Sequence, residues 1–295
     1  MFVIKYKKVF VLISVCLVAL SLASIFIFGL KFGIDFKGGA QMEVTFAGTR
    51  PEQALVKDEL SKLSLGESLV QPTGTDGYSI KTRALSESER LSVVTALGKD
   101  ATEKSFSSIG PSVGAELARK SMITFILVSL GIIFFIAFSF RKVSKPISSW
   151  KYGLIAIGTL IHDILIPVGV FVILSKMFGA EVDTLFVVAI LTILGLSVSD
   201  TIVVFDRIRE NLRGGHYKTF EEAVGKSLEQ VYTRSIATSL TVILALLSLV
   251  FWGPESTRNF SLMLTAGMFF GTYSSIFLAS PLLIFAKDWQ EKRSK

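Results

Sequence analysis

Two carboxylates in this chain stand where carboxylates are costly. Asp163 lies near the middle of an apolar run, beside His162 and four residues before Pro167. Asp200 lies in TILGLSVSDTIVVFDRIRENLR, Thr192 to Arg213. Near a bilayer midplane an ionisable group costs several kcal/mol unless paired or hydrated, so it marks a pathway or a relay. Imidazole beside carboxylate gives a group that titrates near neutral pH, and a proline frees backbone carbonyls that can line a polar pocket. The plainer reading of His162 and Asp163 is a buried pair that locks helix contacts, because adjacent helical residues point about 100° apart. Around Asp200, the hydroxyls of Thr192, Ser197, Ser199 and Thr201 fall within about two turns and could hold water beside the carboxylate. Leu196 and Ile193 share that side. Arg234 opens the next apolar run from the same end. Antiparallel helices would place it level with Asp200, and a guanidinium reaching inward to the carboxylate would form a proton switch. The competing role for Arg234 is an interfacial anchor.

That chemistry requires the apolar runs to be membrane spans. The chain has 295 residues, 51% hydrophobic and only 19% charged. So apolar a sequence fits neither a disordered chain nor an ordinary cytosolic enzyme. Crossing about 30 Å of hydrocarbon takes roughly 20 residues, and six runs qualify. The first lies within residues 1–30, from Val9 to about Leu30; the others are 122–140, 152–174, 184–205, 236–252 and 260–286, with a tail at 287–295. The first run continues through Ile25, Phe26, Ile27 and Phe28, too long for a cleaved signal segment. Within it, Cys16 reads as a packing residue.

Charge sets the orientation. With the N-terminus inside, seventeen Lys and Arg fall in inner segments, while the two short outer loops hold only Lys176 and Arg258. That asymmetry follows the positive-inside rule and places both termini in the cytoplasm. The net charge of +7 is therefore largely an orientation signal and not a nucleic-acid footprint.

Residues 31–120 form an outer loop of domain size. Phe32 to Phe36 and Ala40 to Phe46 read as strands about the Gly38-Gly39 turn. Pro51 to Leu63 reads as a helix, and Ser68 to Gln71 and Gly77 to Thr82 as short strands. Ser86 to Leu97 reads as a second helix, opened by a cap-like Ser-Glu-Ser-Glu, and Thr102 to Ile109 as a closing strand. Helices interleaved with strands imply a small α+β domain of ferredoxin-like type. Gly110 to Lys120 then reads as a short helix returning the chain to the membrane. The fold class is thus a polytopic α-helical membrane protein with six spans and one small α+β domain.

One cysteine and two histidines exclude a disulfide framework and any Cys- or His-rich metal site. No phosphate-binding loop, HExxH or dinucleotide fingerprint is present, so no catalytic residue, metal or cofactor is expected.

Several stretches resemble the SecD/SecF family. They are GIDFKGG (Gly33 to Gly39), GPSVGAEL before the second span, His162-Asp163 in the third, and SVSDTIVVFDRIREN in the fourth. TRSIATSLT in the fifth and SLMLTAGMFFGTYSSIFLASPLL in the sixth complete the series. The resemblance runs nearly the whole chain, and the short outer domain favours the SecF branch over SecD. LSVSD departs from the Tyr-Ser-x-Asn-Asp common in that branch, which alters a hydrogen-bonding neighbour but keeps the carboxylate. The resemblance implies an RND-type half that pairs with SecD in a bacterial inner membrane, beside SecYEG and in some assemblies YajC and a membrane insertase. It implies that the proton, as coupling ion, drives late periplasmic steps in the export of unfolded preprotein. Carried over by position, Asp200 is the relay carboxylate and Arg234 its charge partner. Asp35, Phe36, Gly38 and Gly39 form the periplasmic coupling motif. Ser197, Ser199 and Thr201 are polar neighbours of Asp200.

Two other classes compete. An RND-like small-molecule or lipid exporter shares the spans and relay but should carry two large outer domains. An intramembrane aspartyl protease needs two membrane aspartates and a Gly-x-Gly-Asp sequence, where this chain has Ser197-Val198-Ser199-Asp200.

Overall fold

The computed structural model describes residues 2–140, 147–215 and 217–293. Of the positive charges used above, Arg141, Lys142, Lys145 and Lys295 lie outside the described residues. Two compact units form, one of residues Phe32–Ile123, the other of Met1–Lys31 with Thr124–Lys295.

The elements run α1 (Phe2–Lys5), α2 (Lys7–Phe28), α3 (Ile34–Lys37), β1 (Gly39–Phe46), α4 (Gln53–Ser61), β2 (Leu69–Thr73), β3 (Gly77–Thr82), α5 (Glu87–Ala96) and β4 (Ala101–Ile109). They continue as α6 (Pro111–Phe140), α7 (Ser149–Phe178), α8 (Thr184–Gly214), α9 (Phe220–Trp252), α10 (Glu255–Ser274), a π-helical turn (Ser275–Ala279) and α11 (Ser280–Arg293).

In the small unit the sheet order is β2-β3-β1-β4 with every neighbour antiparallel. With α4 and α5 placed between strands, this is the β-α-β-β-α-β ferredoxin-like arrangement. Its core is Met42, Val44, Val56, Leu60, Val70, Ile80 and Val93. Alternate residues of β1 face it, as a period of two requires. A capping box starts α5, with Glu89 N–H donating to Ser86 and the Glu89 carboxylate returning to Ser86 N–H. Arg83 and Ser86 hold the Glu89 carboxyl down at about 2. The expected strand at Phe32 to Phe36 is not one. Ile34–Lys37 forms a single helical turn, and Gly38 at φ 78° ends it.

Six helical segments of the described residues are long and apolar enough to cross a membrane: α2, α6, α7, α8, α9, and α10 with the π turn and α11 as one continuous rod. Two begin well before their apolar stretch. α6 starts at Pro111 and runs unbroken to Phe140, so the expected short helix and the second span are one element. α9 starts at Phe220, where Thr219 caps it by accepting from Glu222 N–H at 3.1 Å. Its polar first half packs on the end of α8, with Asn211 donating to Ser227 at 2.8 Å and Arg207 Nε to Gln230 at 2.7 Å. Cys16, expected to pack, is exposed on α2.

Without a hydrophobic force between helices in lipid, close packing needs small residues. Gly169 of α7 meets Ser21 of α2, where an added Cβ would lie 2.5 Å from the serine Cβ. The Ser24 hydroxyl donates to the Gly169 carbonyl at 3.3 Å. On α10, Gly267 and Gly271 form a Gly-x-x-x-Gly pair. A Cβ at Gly267 would collide with the Ile193 side chain, and one at Gly271 would lie 3.4 Å from Ser197 Cβ. Thus α8 and α10 approach closely at Ile193 and Ser197, about two turns and one turn before Asp200. Of the six spans, the third and sixth are the most enclosed and the second the least.

Candidate functional site

The polar centre of the helical unit is built from α7, α8, α9 and the end of α10. Asp163 is fully buried. Its Oδ1 lies 2.7 Å from His162 Nδ1, although the two residues are adjacent on α7. Its Oδ2 accepts from Ser197 of α8 and from Ser274 of α10, the latter at 2.6 Å. Pro167, inside α7, has no N–H to give the Asp163 carbonyl four residues earlier. The His162 ring is also buried and stacks on Tyr273, centroids 6.3 Å apart. The Tyr273 hydroxyl donates to the Phe10 carbonyl of α2 at 3.1 Å. His162 Nε2 is buried with no partner among the described residues.

Asp200 is half-buried, and its Oδ2 receives the Ser275 hydroxyl at 3.4 Å. The Ser235 hydroxyl of α9 faces the same carboxylate, and the adjacent residues Ser274 and Ser275 reach Asp163 and Asp200 respectively. The two aspartates therefore form one site, with serines from three helices between and around them.

The hydroxyls expected around Asp200 are arranged differently. Ser197 serves Asp163, on the side of α8 where α10 docks closely at Gly271. Ser199 is exposed. Thr201 is buried and its hydroxyl has no partner among the described residues. Thr192 bonds back to the Val188 carbonyl at 2.8 Å. The expected Asp200–Arg234 ion pair is not formed. Arg234 is exposed on α9 and makes no ion pair among the described residues, while the next residue, Ser235, turns inward toward Asp200. The hundred-degree step between neighbours on a helix puts them on different faces.

Ser274 and Ser275 were missed by the sequence reading. Their signal was present: a Gly-x-x-x-Gly spacing, then two hydroxyls, then Pro281 within an apolar span.

In the small unit, the Asp35 to Gly39 motif closes against the start of α6. A Cβ at Gly38 would lie 2.8 Å from Pro111 Cα, and one at Gly114 would lie 2.8 Å from Gly38 N. Phe36 packs edge-on against Phe32 at 6.2 Å. Gly38→Ala meets both a left-handed φ and this contact, and should destabilise the small unit by about 2 kcal/mol or more. Thermal unfolding of the purified chain, followed by hydrogen exchange in β1, measures it; unchanged exchange would refute the packing role.

Residues 90–289 match the family described as "Protein export membrane protein SecD/SecF, C-terminal", and residues 23–49 match the "SecD/SecF GG Motif". The "Protein translocase subunit SecF" of Thermobaculum terrenum is 40% identical over 306 residues, covering 98% of this chain and 94% of that protein. The chain belongs to the SecF family. The Synechocystis SecF is 34% identical, with 98% of this chain and 92% of that protein covered. Among solved structures, SecDF from Thermus thermophilus, titled a translocon-associated membrane protein, superposes with a TM-score of 0.82 at 30% identity. A SecDF structure titled as the Super-membrane-facing form gives 0.68, also at 30% identity. The chain covers 38% and 39% of those two chains, so the SecF fold here corresponds to one part of a longer SecDF polypeptide. The GG-motif match spans Gly38, which the small unit packs against Pro111, and Gly39, which it packs against Thr82 and Ile34. The larger match contains Asp163, Asp200, Arg234 and the two serines.

Proposed function

We propose that this chain is the SecF subunit of a bacterial protein translocase. With SecD it would use the proton-motive force to drive late, outer-side steps of preprotein export through SecYEG. The observation that carries the proton part is the Asp163–Asp200 site, two carboxylates lodged in apolar helices and held by serines. Asp200, the less buried of the two, would take and release the proton; Asp163 would hold the surrounding helices in register. One charge crossing 100 mV releases about 2.3 kcal/mol, enough to bias a two-state rearrangement. No metal or organic cofactor is needed for such a step.

The partner reading is supported by exposed residues of α8 and α9. On α9, Tyr232, Arg234, Leu240 and Leu244 are exposed, and on α8 so are Gly195, Leu196 and Ser199. Exposed polar groups such as Arg234 and Ser199, on helices that also carry a half-buried carboxylate, suit a second helical half better than lipid. Both solved relatives are titled SecDF, which supports SecD as the other half. YajC and an insertase are further expected neighbours. With the positive-inside orientation, both termini would be cytoplasmic and residues 31–120 periplasmic.

The exporter reading has little to stand on, since the chain contributes one small α+β unit. An aspartyl protease would need both carboxylates open to water and peptide, whereas Asp163 is enclosed and its oxygens are taken by His162, Ser197 and Ser274.

The test is recovery of complexes. Affinity purification from membranes should bring down SecD and SecYEG; isolation of this chain alone would favour an independent transporter. Arg234→Met probes the arginine itself. If it meets Asp200 or a SecD group during the cycle, proton-coupled export should fall nearly to background in vesicles. Export at the unmodified rate would make Arg234 an interfacial anchor.

A further inference from the structure

The rod that closes the bundle changes winding at the carboxylates. α10 ends at Ser274, and Ser275–Ala279 takes the wider i→i+5 pattern before α11 resumes. The sequence supplies a cause: Pro281 has no N–H to give and its ring crowds the preceding turn, and such strain in a helix is relieved by a π turn. π turns occur often at functional sites. Here the first wide residue, Ser275, contacts Asp200, and the residue before it contacts Asp163.

Each serine hydroxyl carries one hydrogen but faces two acceptors. Ser274 Oγ lies 2.6 Å from Asp163 Oδ2 and 3.0 Å from the Gly271 carbonyl. Ser275 Oγ lies 3.4 Å from Asp200 Oδ2 and 3.0 Å from the Thr272 carbonyl. The distances divide the two: Ser274 gives its hydrogen to its carboxylate, and Ser275 gives its own to the backbone. The Gly271 carbonyl also accepts the Ser275 N–H, so the two serines share a backbone acceptor at the mouth of the π turn.

We infer that Ser274 is a positioning residue through which the protonation state of Asp200 is passed to Asp163, with the Ser274–Ser275 step at the π turn as the link. This rests on the relay reading of Asp200. A charged Asp200 draws the Ser275 hydrogen from the Thr272 carbonyl and pulls Ser275 toward α8. A protonated Asp200 donates its own O–H to Ser275 Oγ, and the Ser275 hydrogen returns to the backbone. Because Ser275 N–H and Ser274 Oγ meet on the Gly271 carbonyl, that movement alters the hold of Ser274 on Asp163. No bond other than the O–H of Asp200 is made or broken. The groups facing this link are His162 beside Asp163 on α7, Ser197 and Asp200 on α8, Ser235 on α9, and Tyr273 on α10, stacked on His162. Arg234, exposed on α9, makes no ion pair with them among the described residues.

Infrared difference spectroscopy of the full chain in lipid vesicles reads both carboxyls, the bands being assigned by Asp163→Asn and Asp200→Asn. In the unmodified chain, a pH step that protonates Asp200 should displace the Asp163 band. Ser274→Ala should remove that displacement while Asp200 still titrates, Ser275→Ala should do the same, and Ser274→Thr, which keeps the hydroxyl, should restore it. A merely structural serine would not separate the two bands in this way. If Ser274→Ala keeps the full displacement, coupling runs directly through space and the serine link is overturned, with the relay reading intact. If Asp200 does not titrate in the working pH range of the unmodified chain, both fall together.

Discussion

Asp200→Asn should reduce proton-dependent, late-stage preprotein release to background while leaving the chain assembled with its partners. The substitution preserves volume and an acceptor oxygen for the Ser275 hydroxyl, so the contact at 3.4 Å survives and the fold loses little. What disappears is the ability to take a proton. The decisive measurement is release of a trapped preprotein from vesicles with an imposed proton gradient, alongside co-purification of the complex. Release at the unmodified rate would sink the relay assignment, and loss of assembly would show that the carboxylate is structural. An effect of this size is expected because, among the described residues, no other ionisable group lines the half-buried side of the site. Asp163 is enclosed, and Arg234 lies on the outer face of α9.

Asp163→Ala should produce a large loss of stability in the helical unit. It leaves the Ser197 and Ser274 hydroxyls and the His162 ring without their shared acceptor, in a place no solvent reaches. Each buried donor left unsatisfied costs about 1–3 kcal/mol. A total of about 3–5 kcal/mol follows, the range seen when one member of a buried polar set is removed. Asp163→Asn, which keeps one acceptor oxygen, should lose distinctly less. Thermal unfolding of the purified chain in detergent compares the two. Equal melting of Asp163→Ala and the unmodified chain would mean the network contributes nothing to the fold.

The small α+β unit was readable in the sequence because its signals are local. Alternation marks β1 and β3, Gly74 to Gly77 marks the turn between β2 and β3, and Ser86 with Glu89 marks the start of α5. The exception, Ile34–Lys37, is apolar enough for a strand, but Gly33 and Gly38 confine it to one turn. Strand order comes from long-range pairing and had no local sign. The apolar spans were equally plain, yet their ends were not. Hydropathy stops at Ile236, whereas α9 reaches back to Phe220 because its first half buries Phe220, Ala223, Val224 and Leu228 on one side and shows charges on the other.

The site was legible in its carboxylates and illegible in its partners. An aspartate in an apolar run announces itself by cost. Which hydroxyl answers it depends on how helices cross, and the crossing of α8 and α10 is set by two glycines with no chemistry of their own. Hence Ser197 was assigned to Asp200 by proximity in sequence but belongs to Asp163 in space.

The π turn has a further consequence, for the far end of the same rod. An extra residue in one turn advances the phase of everything after it by about 100° relative to an unbroken α-helix. α11 therefore presents to α7 a different stripe from the one that would continue the α10 pattern. That stripe includes Gln290 and the Ala286 carbonyl, which receive Lys151 at 2.8 and 3.3 Å, with Trp289 beside the ammonium. The sixth span thus works like a shaft with a keyed coupling in its middle. One half is indexed to the aspartates, the other to a lysine at the rim, and the offset between them is a single residue.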